Sequence, residues 1–377
     1  MAGQQSTVVW QGVCFLAAII ISGWTGVTMV LTPAFALAMI PGTAPYTHLI
    51  YRRISNFVQW MWMANVSFLL ECLFGIDVVV HGSPELKAKE DEVFGERALW
   101  ISNHRTRIDW MLLWSLALRT GSLSQLKIIL KAPLKKAPIF GWAMQHFLFI
   151  FLRRNWAEDQ EYLRKFLPFL AEKEPKASYL LFPEGTDLSD GNLEKSAAFA
   201  EKNGLPRRVY SLYPRTTGWN FMFPLLKSNL DAVYDVTMFY VDYVPNERPS
   251  EKALVSGRLP RAIHFYVERI PIEDIRSSEE ELKAWVEARF KQKEEHLRVF
   301  YEENGRLPPN AVRLCTQPPT AMFVIAAAFW VALIALALQW AWTLGWWGIV
   351  YGIAVIVGYS ASSIVYNGVD GFLVNIL

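Results

Sequence analysis

The chain has 377 residues, a net charge of +2, and 53% hydrophobic residues with 14% aromatics, which is more apolar than an ordinary soluble domain. So small a net charge argues against nucleic acid as a partner. Three cysteines without a C-x-x-C spacing argue against a cysteine-based metal or redox site, and they agree with a reduced, cytosol-facing catalytic region.

No Asp, Glu, Lys or Arg occurs in residues 1–51 or 314–369, so the chain reads as membrane segment, soluble domain, membrane segment. Residues 8–31 are apolar enough to span once or to re-enter, and Pro33, Pro41 and Pro45 are expected to interrupt the helix before Arg52 and Arg53. No basic stretch precedes this run, and it is long for the core of a cleaved signal. Residues 57–73 mix Trp60, Trp62, Phe68 and Leu69 with Gln59, Asn65 and Glu71, which suits a helix in the membrane interface or one buried against the domain. Residues 81–96, with Pro84 and a KAKEDE run, read as a solvated loop.

Strand-like and helix-like pieces then alternate. Residues 98–102, 127–130, 179–182, 233–241 and 263–270 read as strands, 147–152 as a buried apolar run, and 110–118 and 158–172 as helices. This predicts an α/β domain with a mostly parallel or mixed sheet. Residues 279–301 form a charged helix with a stripe of Leu282, Trp285, Val286, Phe290 and Leu297. Residues 321–338 and 346–364 are two transmembrane candidates, with Trp330, Trp340, Trp342, Trp346 and Trp347 suited to interfacial belts. The expected organisation is an N-terminal membrane segment over 1–53, an interfacial or packing helix over 54–80, the α/β domain over 81–305 and a transmembrane hairpin over 306–377.

The most informative stretch is Ser102-Asn103-His104-Arg105-Thr106-Arg107-Ile108-Asp109, between the first strand of the domain and the next helix. A histidine takes a proton from a hydroxyl when a carboxylate holds its other ring nitrogen in the right tautomer, and Asp109 is the candidate carboxylate. On one continuous helix the two side chains would diverge, because each residue turns the direction by about 100°. A loop-to-helix corner brings them together. A plain helix cap at Asp109 and a surface loop at His104 are the bland alternatives. Three further strand-end segments carry polar groups: Arg153-Arg154 after an apolar run, Pro183-Glu184-Gly185-Thr186, and Pro214-Arg215-Thr216. Arginine suits a phosphate because its planar fork donates two hydrogen bonds.

Taken together, Asn103-His104 with Asp109, Arg154 after an apolar run, Phe182-Pro183-Glu184-Gly185-Thr186, and Pro214 resemble in order and spacing the four motif blocks of glycerolipid acyltransferases. The resemblance covers residues 101–241. NHRTRIDW, GWAMQ, FPEGTDLS, AFAEKNGL, YPRTTGW and YDVT look like the branch of that family containing lysocardiolipin and lysophosphatidylinositol acyltransferases and some lysophosphatidate acyltransferases. One departure is the Arg153-Arg154 doublet, where the family usually has one arginine after Asp or His, and spacing favours Arg154.

The resemblance implies transfer of an acyl chain from acyl-CoA, as co-substrate, to a lysophospholipid hydroxyl, with His104 as general base and Asp109 orienting it. It implies that Arg154, Glu184, Gly185 and Thr186 bind the acceptor's glycerol and phosphate, with Asn103, Arg153, Pro214 and Arg215 in the same site. A carboxylate beside a phosphate is awkward, so Glu184 is expected on glycerol or positioning an arginine. No cofactor is implied, and the six histidines lack metal-ligand spacing. The expected setting is the endoplasmic reticulum membrane, with the domain facing cytosolic acyl-CoA. Two other readings keep the same fold: a CoA-independent transacylase, and a silent membrane scaffold, against which an intact His104 and Asp109 argue.

Overall fold

The computed structural model describes residues 9–40, 44–243, 247–314 and 319–376; Pro41, Cys315 and Leu377 lie outside these. Among the described residues, three long apolar helical stretches have the length and composition to cross a membrane, one near the N-terminus and two near the C-terminus.

The first comprises α1 (Trp10–Thr25), a π-helical segment (Gly26–Leu31) and α2 (Thr32–Ala38). Contrary to expectation, Pro33 does not interrupt it. In π register an amide at position 33 would bond the Thr28 carbonyl. The Tyr351 hydroxyl donates to that carbonyl instead at 2.5 Å, and Thr32 Oγ1 donates to Val27 O at 2.8 Å, so the proline's missing N–H leaves no orphaned acceptor.

Next comes α3 (Ala44–Phe68), whose polar residues decide between its two readings in favour of burial. Gln59 is fully buried and donates to the carbonyls of Leu123 and Leu126, while the equally buried Lys127 donates to Asn56 and Gln59. Arg52 is buried too; its Nε reaches Glu174 at 2.6 Å and its Nη1 reaches the His146 carbonyl. These bonds fasten α3 to the domain.

Residues 81–96 are not a solvated loop. They hold the end of β1 (Asp77–Gly82) and α4 (Pro84–Val93), capped by Ser83, whose hydroxyl accepts from the Leu86 amide. Proline is favoured in a helix's first turn, and Leu86, Glu90 and Val93 share the buried side, so the charge run is only the outer face of a helix. The sheet therefore begins at Asp77, ahead of the boundary at residue 81.

The remaining elements follow the expected alternation: β2 (Ala98–Ser102), α5 (Asp109–Arg119), β3 (Leu126–Lys131), α6 (Phe140–His146), β4 (Ile150–Leu152), α7 (Trp156–Lys173), β5 (Ser178–Leu181), α8 (Asp190–Lys202), α9 (Thr216–Leu226), β6 (Ala232–Val241), α10 (Glu251–Ser256), β7 (Ala262–Pro271), α11 (Glu279–Glu302), β8 (Val312–Arg313), α12 (Thr320–Leu344), α13 (Trp346–Val365) and α14 (Val369–Ile376). The mixed sheet has the order β4-β3-β5-β2-β6-β7-β1-β8. From β4 to β6 all neighbours are parallel; β7 runs antiparallel to β6, and β8 antiparallel to β1. Parallel strands are covered on both faces, which is why β2 is buried at all five positions and reads as an unbroken apolar run. The α11 stripe holds Leu282, Val286, Phe290 and Leu297 as expected. It also buries Lys293, which donates to Val236 O at 2.6 Å and pairs with Asp235. Trp330 is not part of an interfacial belt: it is buried, and its indole donates to Met61 O. Trp342, Trp346 and Trp347 are exposed around the turn at Gly345.

Replacing Glu174 with alanine leaves the Arg52 guanidinium buried without its counter-charge, so Glu174→Ala is expected to destabilise the protein by about 3–5 kcal/mol. Thermal unfolding of the purified protein in detergent measures this, and an unchanged midpoint would show that the pair does not hold α3 to the domain.

Candidate active site

Two parallel strands, β5 and β2, end side by side while β6 continues past them to Val241, and the loops leaving β2 and β5 meet there. The first loop starts as an extension of the ladder. Asn103 is 1% exposed and acts as a backbone surrogate, donating from Nδ2 to Met238 O at 3.2 Å and accepting from Met238 N at 2.8 Å. It builds the loop instead of lining a pocket.

The chain then turns sharply so that Asp109, the first residue of α5, lies under His104. His104 Nδ1 is 3.0 Å from Asp109 Oδ2. The same Oδ2 accepts from the Thr106 amide at 3.0 Å, and Oδ1 accepts from Thr106 Oγ1 at 2.8 Å and from the Tyr240 hydroxyl at 2.6 Å. Asp109 is wholly enclosed, whereas the His104 side chain keeps 17% of its surface exposed. With Nδ1 directed at the carboxylate, Nε2 is the outward nitrogen. The imidazole stacks on Phe182, with ring centres 4.3 Å apart. Burial alone would lower the histidine's pKa, but the Asp109 hydrogen bond and charge outweigh it and raise the pKa above its usual 6.5.

Glu184 joins the two loops. Its Oε1 accepts from the His104 amide and its Oε2 from the Leu212 amide, both at 2.9 Å, and it is 2% exposed. Burial pushes its pKa up to about 7, against the two amide bonds, which favour the ionised form. Both oxygens are thus spent on main-chain donors, not on an arginine side chain. The next residue, Gly185, has φ of +71°, and a Cβ there would lie 3.1 Å from Arg215 Cδ, so the turn requires glycine. Arg215 caps the start of α9, and its amide donates to Pro183 O at 2.7 Å, which ties the Pro214-Arg215 segment to the same turn. Thr186 faces α8 and accepts from Asn192 Nδ2 at 2.9 Å.

The two arginines diverge. Asp159 accepts from the Arg153 amide at 2.8 Å and the Arg154 amide at 2.9 Å, and Arg154 takes the left-handed φ of +65°. Arg154 Nη2 consequently reaches Gly185 O at 3.0 Å, inside the loop cluster, while Arg153 turns away to pair with Glu158 at 2.5 Å. The structure thus brings His104, Asp109, Asn103, Glu184, Gly185, Arg154, Pro214 and Arg215 together, sets Thr186 at the margin and leaves Arg153 outside.

Sequence reasoning missed Thr106, Asp159 and Tyr240. Asp159 had a signal, being an acidic residue in the first turn of the helix after the doublet. Tyr240 had none, because it lies 131 residues from Asp109 and meets it only through the parallel pairing of β2 and β6.

Residues 77–238 match the family model described as acyltransferase, and residues 253–330 match the one described as acyltransferase C-terminus. Lysocardiolipin acyltransferase 1 of Gallus gallus is 36% identical over 373 residues, covering 96% of this chain and 93% of that protein. Lysophosphatidylinositol acyltransferase 10 of Caenorhabditis elegans is 36% identical over 262 residues, covering 68% of this chain and 64% of that one. The probable 1-acyl-sn-glycerol-3-phosphate acyltransferase 5 of Arabidopsis thaliana is 36% identical over 258 residues, covering 68% and 65%. A mixed-sheet α/β domain held between apolar helices, with a polar loop cluster at its strand ends, is the architecture of a membrane-associated enzyme. The chain belongs to the glycerolipid acyltransferase family and is an acyltransferase.

Tyr240→Phe removes one of the four hydrogen bonds on Asp109 and keeps the ring. A hydrogen bond of about 1.5–3 kcal/mol to a charged group, lost from the transition state, corresponds to a fall in kcat of about ten- to a hundredfold. Steady-state kinetics should show this with both Michaelis constants unchanged. An unaltered kcat would mean that Tyr240 does not position the carboxylate.

Proposed function

We propose that the chain transfers a fatty acyl group from acyl-CoA to a free hydroxyl of a lysophospholipid, with His104 as general base. The observation that carries this reading is the His104–Asp109 contact, which leaves Nε2 facing outward over the strand ends. Nε2 takes the proton as the acceptor oxygen attacks the thioester carbonyl. The resulting imidazolium, stabilised by Asp109, returns the proton to the departing CoA sulfur. The acceptor hydroxyl stands where a serine hydrolase would have its own serine, so no acyl-enzyme forms.

Names of the relatives support a lysophospholipid acceptor, since those proteins are called lysocardiolipin, lysophosphatidylinositol and 1-acyl-sn-glycerol-3-phosphate acyltransferases. Arg154 holds the acceptor phosphate beside the Gly185 turn, and Glu184 sets the distance between the two loops. The domain faces the cytosol at the endoplasmic reticulum, where acyl-CoA arrives from the aqueous side and the lysophospholipid from the leaflet. Trypsin treatment of sealed microsomes tests this orientation. Cleavage at the exposed Arg207 is expected without detergent, and cleavage only after detergent would put the domain in the lumen.

His104→Ala should lower turnover by about 10²–10⁴ while the protein stays folded. Near-wild-type turnover by a homogeneous preparation would remove His104 as the base. The pH profile carries a second test. His104 must be neutral to accept a proton, so the rate should rise with pH through an ionisation above 6.5. In Asp109→Asn the group that raises that pKa is gone, and the rising limb of the residual activity should move to lower pH. A limb that stays in place would detach the two residues from each other. With lysophosphatidate as acceptor, Arg154→Ala should raise the acceptor's Michaelis constant more than that of acyl-CoA, since a charge-assisted contact to phosphate is lost. A larger effect on acyl-CoA would assign Arg154 to the donor.

A further inference from the structure

A second polar site opens on the far side of the arginine doublet. A groove of about 720 Å³ lies between α7, the segment between β3 and α6, and the end of α13, where Ser363 and Asn367 line it. Because α13 is one of the apolar helices long enough to cross a membrane, its end marks the level at which lipid head groups sit. The groove therefore opens where head groups lie, not into the aqueous face of the domain.

Its lining mixes donors and acceptors. Lys135, Lys136, Arg153 and Lys165 supply cations, of which Lys135 is held by Asp370; Glu158 and Glu161 supply carboxylates. Arg153 pairs with Glu158, and Lys165 pairs with Glu161 at 2.9 Å. These pairs are exposed and hence weak, so a ligand can exchange for them at little cost. Asp159 also borders the groove, but its oxygens are held by the Arg153 and Arg154 amides. A polyanion would meet the carboxylates at close range. Hydroxyl groups instead donate to carboxylates and accept from ammonium and guanidinium groups, so an alternating lining of this kind fits a ring or chain of hydroxyls.

Position links the groove to the reaction. Arg153 and Arg154 are consecutive, with Cα atoms about 3.8 Å apart, yet one side chain lines the groove and the other reaches the Gly185 turn. The doublet thus stands between the two sites. We propose that this groove is a head-group subsite that takes the polyol portion of the acceptor, such as an inositol ring, esterified to the phosphate held by Arg154. This rests on the reaction proposed above, and it makes the groove a determinant of which lysophospholipid is used.

The test compares lysophosphatidylinositol with lysophosphatidate, using one acyl-CoA and the full chain in detergent. The wild type is expected to favour the polyol acceptor in kcat/KM by about tenfold or more, the worth of two or three net hydrogen bonds. A Lys136→Ala, Glu161→Ala, Lys165→Ala triple variant changes only exposed side chains, and it should bring that ratio close to one through the polyol acceptor's Michaelis constant. The proposal is overturned by a wild type without preference, by an unchanged ratio in the variant, by equal losses with both acceptors, or by a rise in the Michaelis constant for acyl-CoA, which would make the groove a donor site. Binding of glycerophosphoinositol to the His104→Ala protein separates this proposal from the reaction itself. A wild type that acylates no lysophospholipid, together with head-group binding that the triple substitution abolishes, would sink the reaction and keep the subsite. The reverse pattern would sink the subsite alone.

Discussion

An ionised carboxylate taken wholly out of water loses hydration that only well-placed donors can replace. Asp109 occupies such a position, and its four donors come from three parts of the chain: the His104 ring, the backbone and hydroxyl of Thr106, and the Tyr240 hydroxyl on β6. The turn after β2 must close tightly enough for Thr106 to reach back, and β6 must run beside β2 in parallel register for Tyr240 to arrive. Much of the domain's architecture is therefore needed to keep one charge buried. The histidine receives its orientation from the same charge.

A second buried carboxylate sets the neighbouring loop. Glu184 bonds the His104 amide on one side and the Leu212 amide on the other, so the motif after β5 acts first as a clamp on the motif after β2. Arg154 completes the circuit by donating to Gly185 O from a backbone conformation that Asp159 enforces. The acidic residues here, Glu184 and Asp159, are thus spent on backbone amides.

Attachment to the membrane segments uses the same principle. Lys127, Arg52, Glu174 and Gln59 lie in the seam between α3 and the sheet, each with polar partners, and Tyr351 of α13 supplies the donor that Pro33 cannot. Such bonds fix orientation more sharply than apolar contact does, because a slipped register would strand a charge or a carbonyl. The strand-end loops and the apolar helices are consequently parts of one packed body.

The sequence by itself determined the order of apolar segments around a central α/β domain, the strands β2, β3, β5, β6 and β7, and the His104–Asp109 pair with its companion motifs. These are local signals: uncharged runs, short apolar strands between turns, and residue types at fixed spacing. It misjudged residues 81–96, because a short helix with a mostly polar surface has the composition of a loop and only Ser83, Leu86, Glu90 and Val93 reveal its buried side. It could not choose between an interfacial and a packed α3, because that depends on whether Gln59 and Asn56 find partners across the seam. Only the tertiary structure decided that Glu184 clamps two amides, that Arg153 and Arg154 part company, and that Tyr240 completes the shell of Asp109. Each of these joins residues far apart in the chain, and hydrogen-bond geometry between distant segments leaves no periodic trace in a sequence.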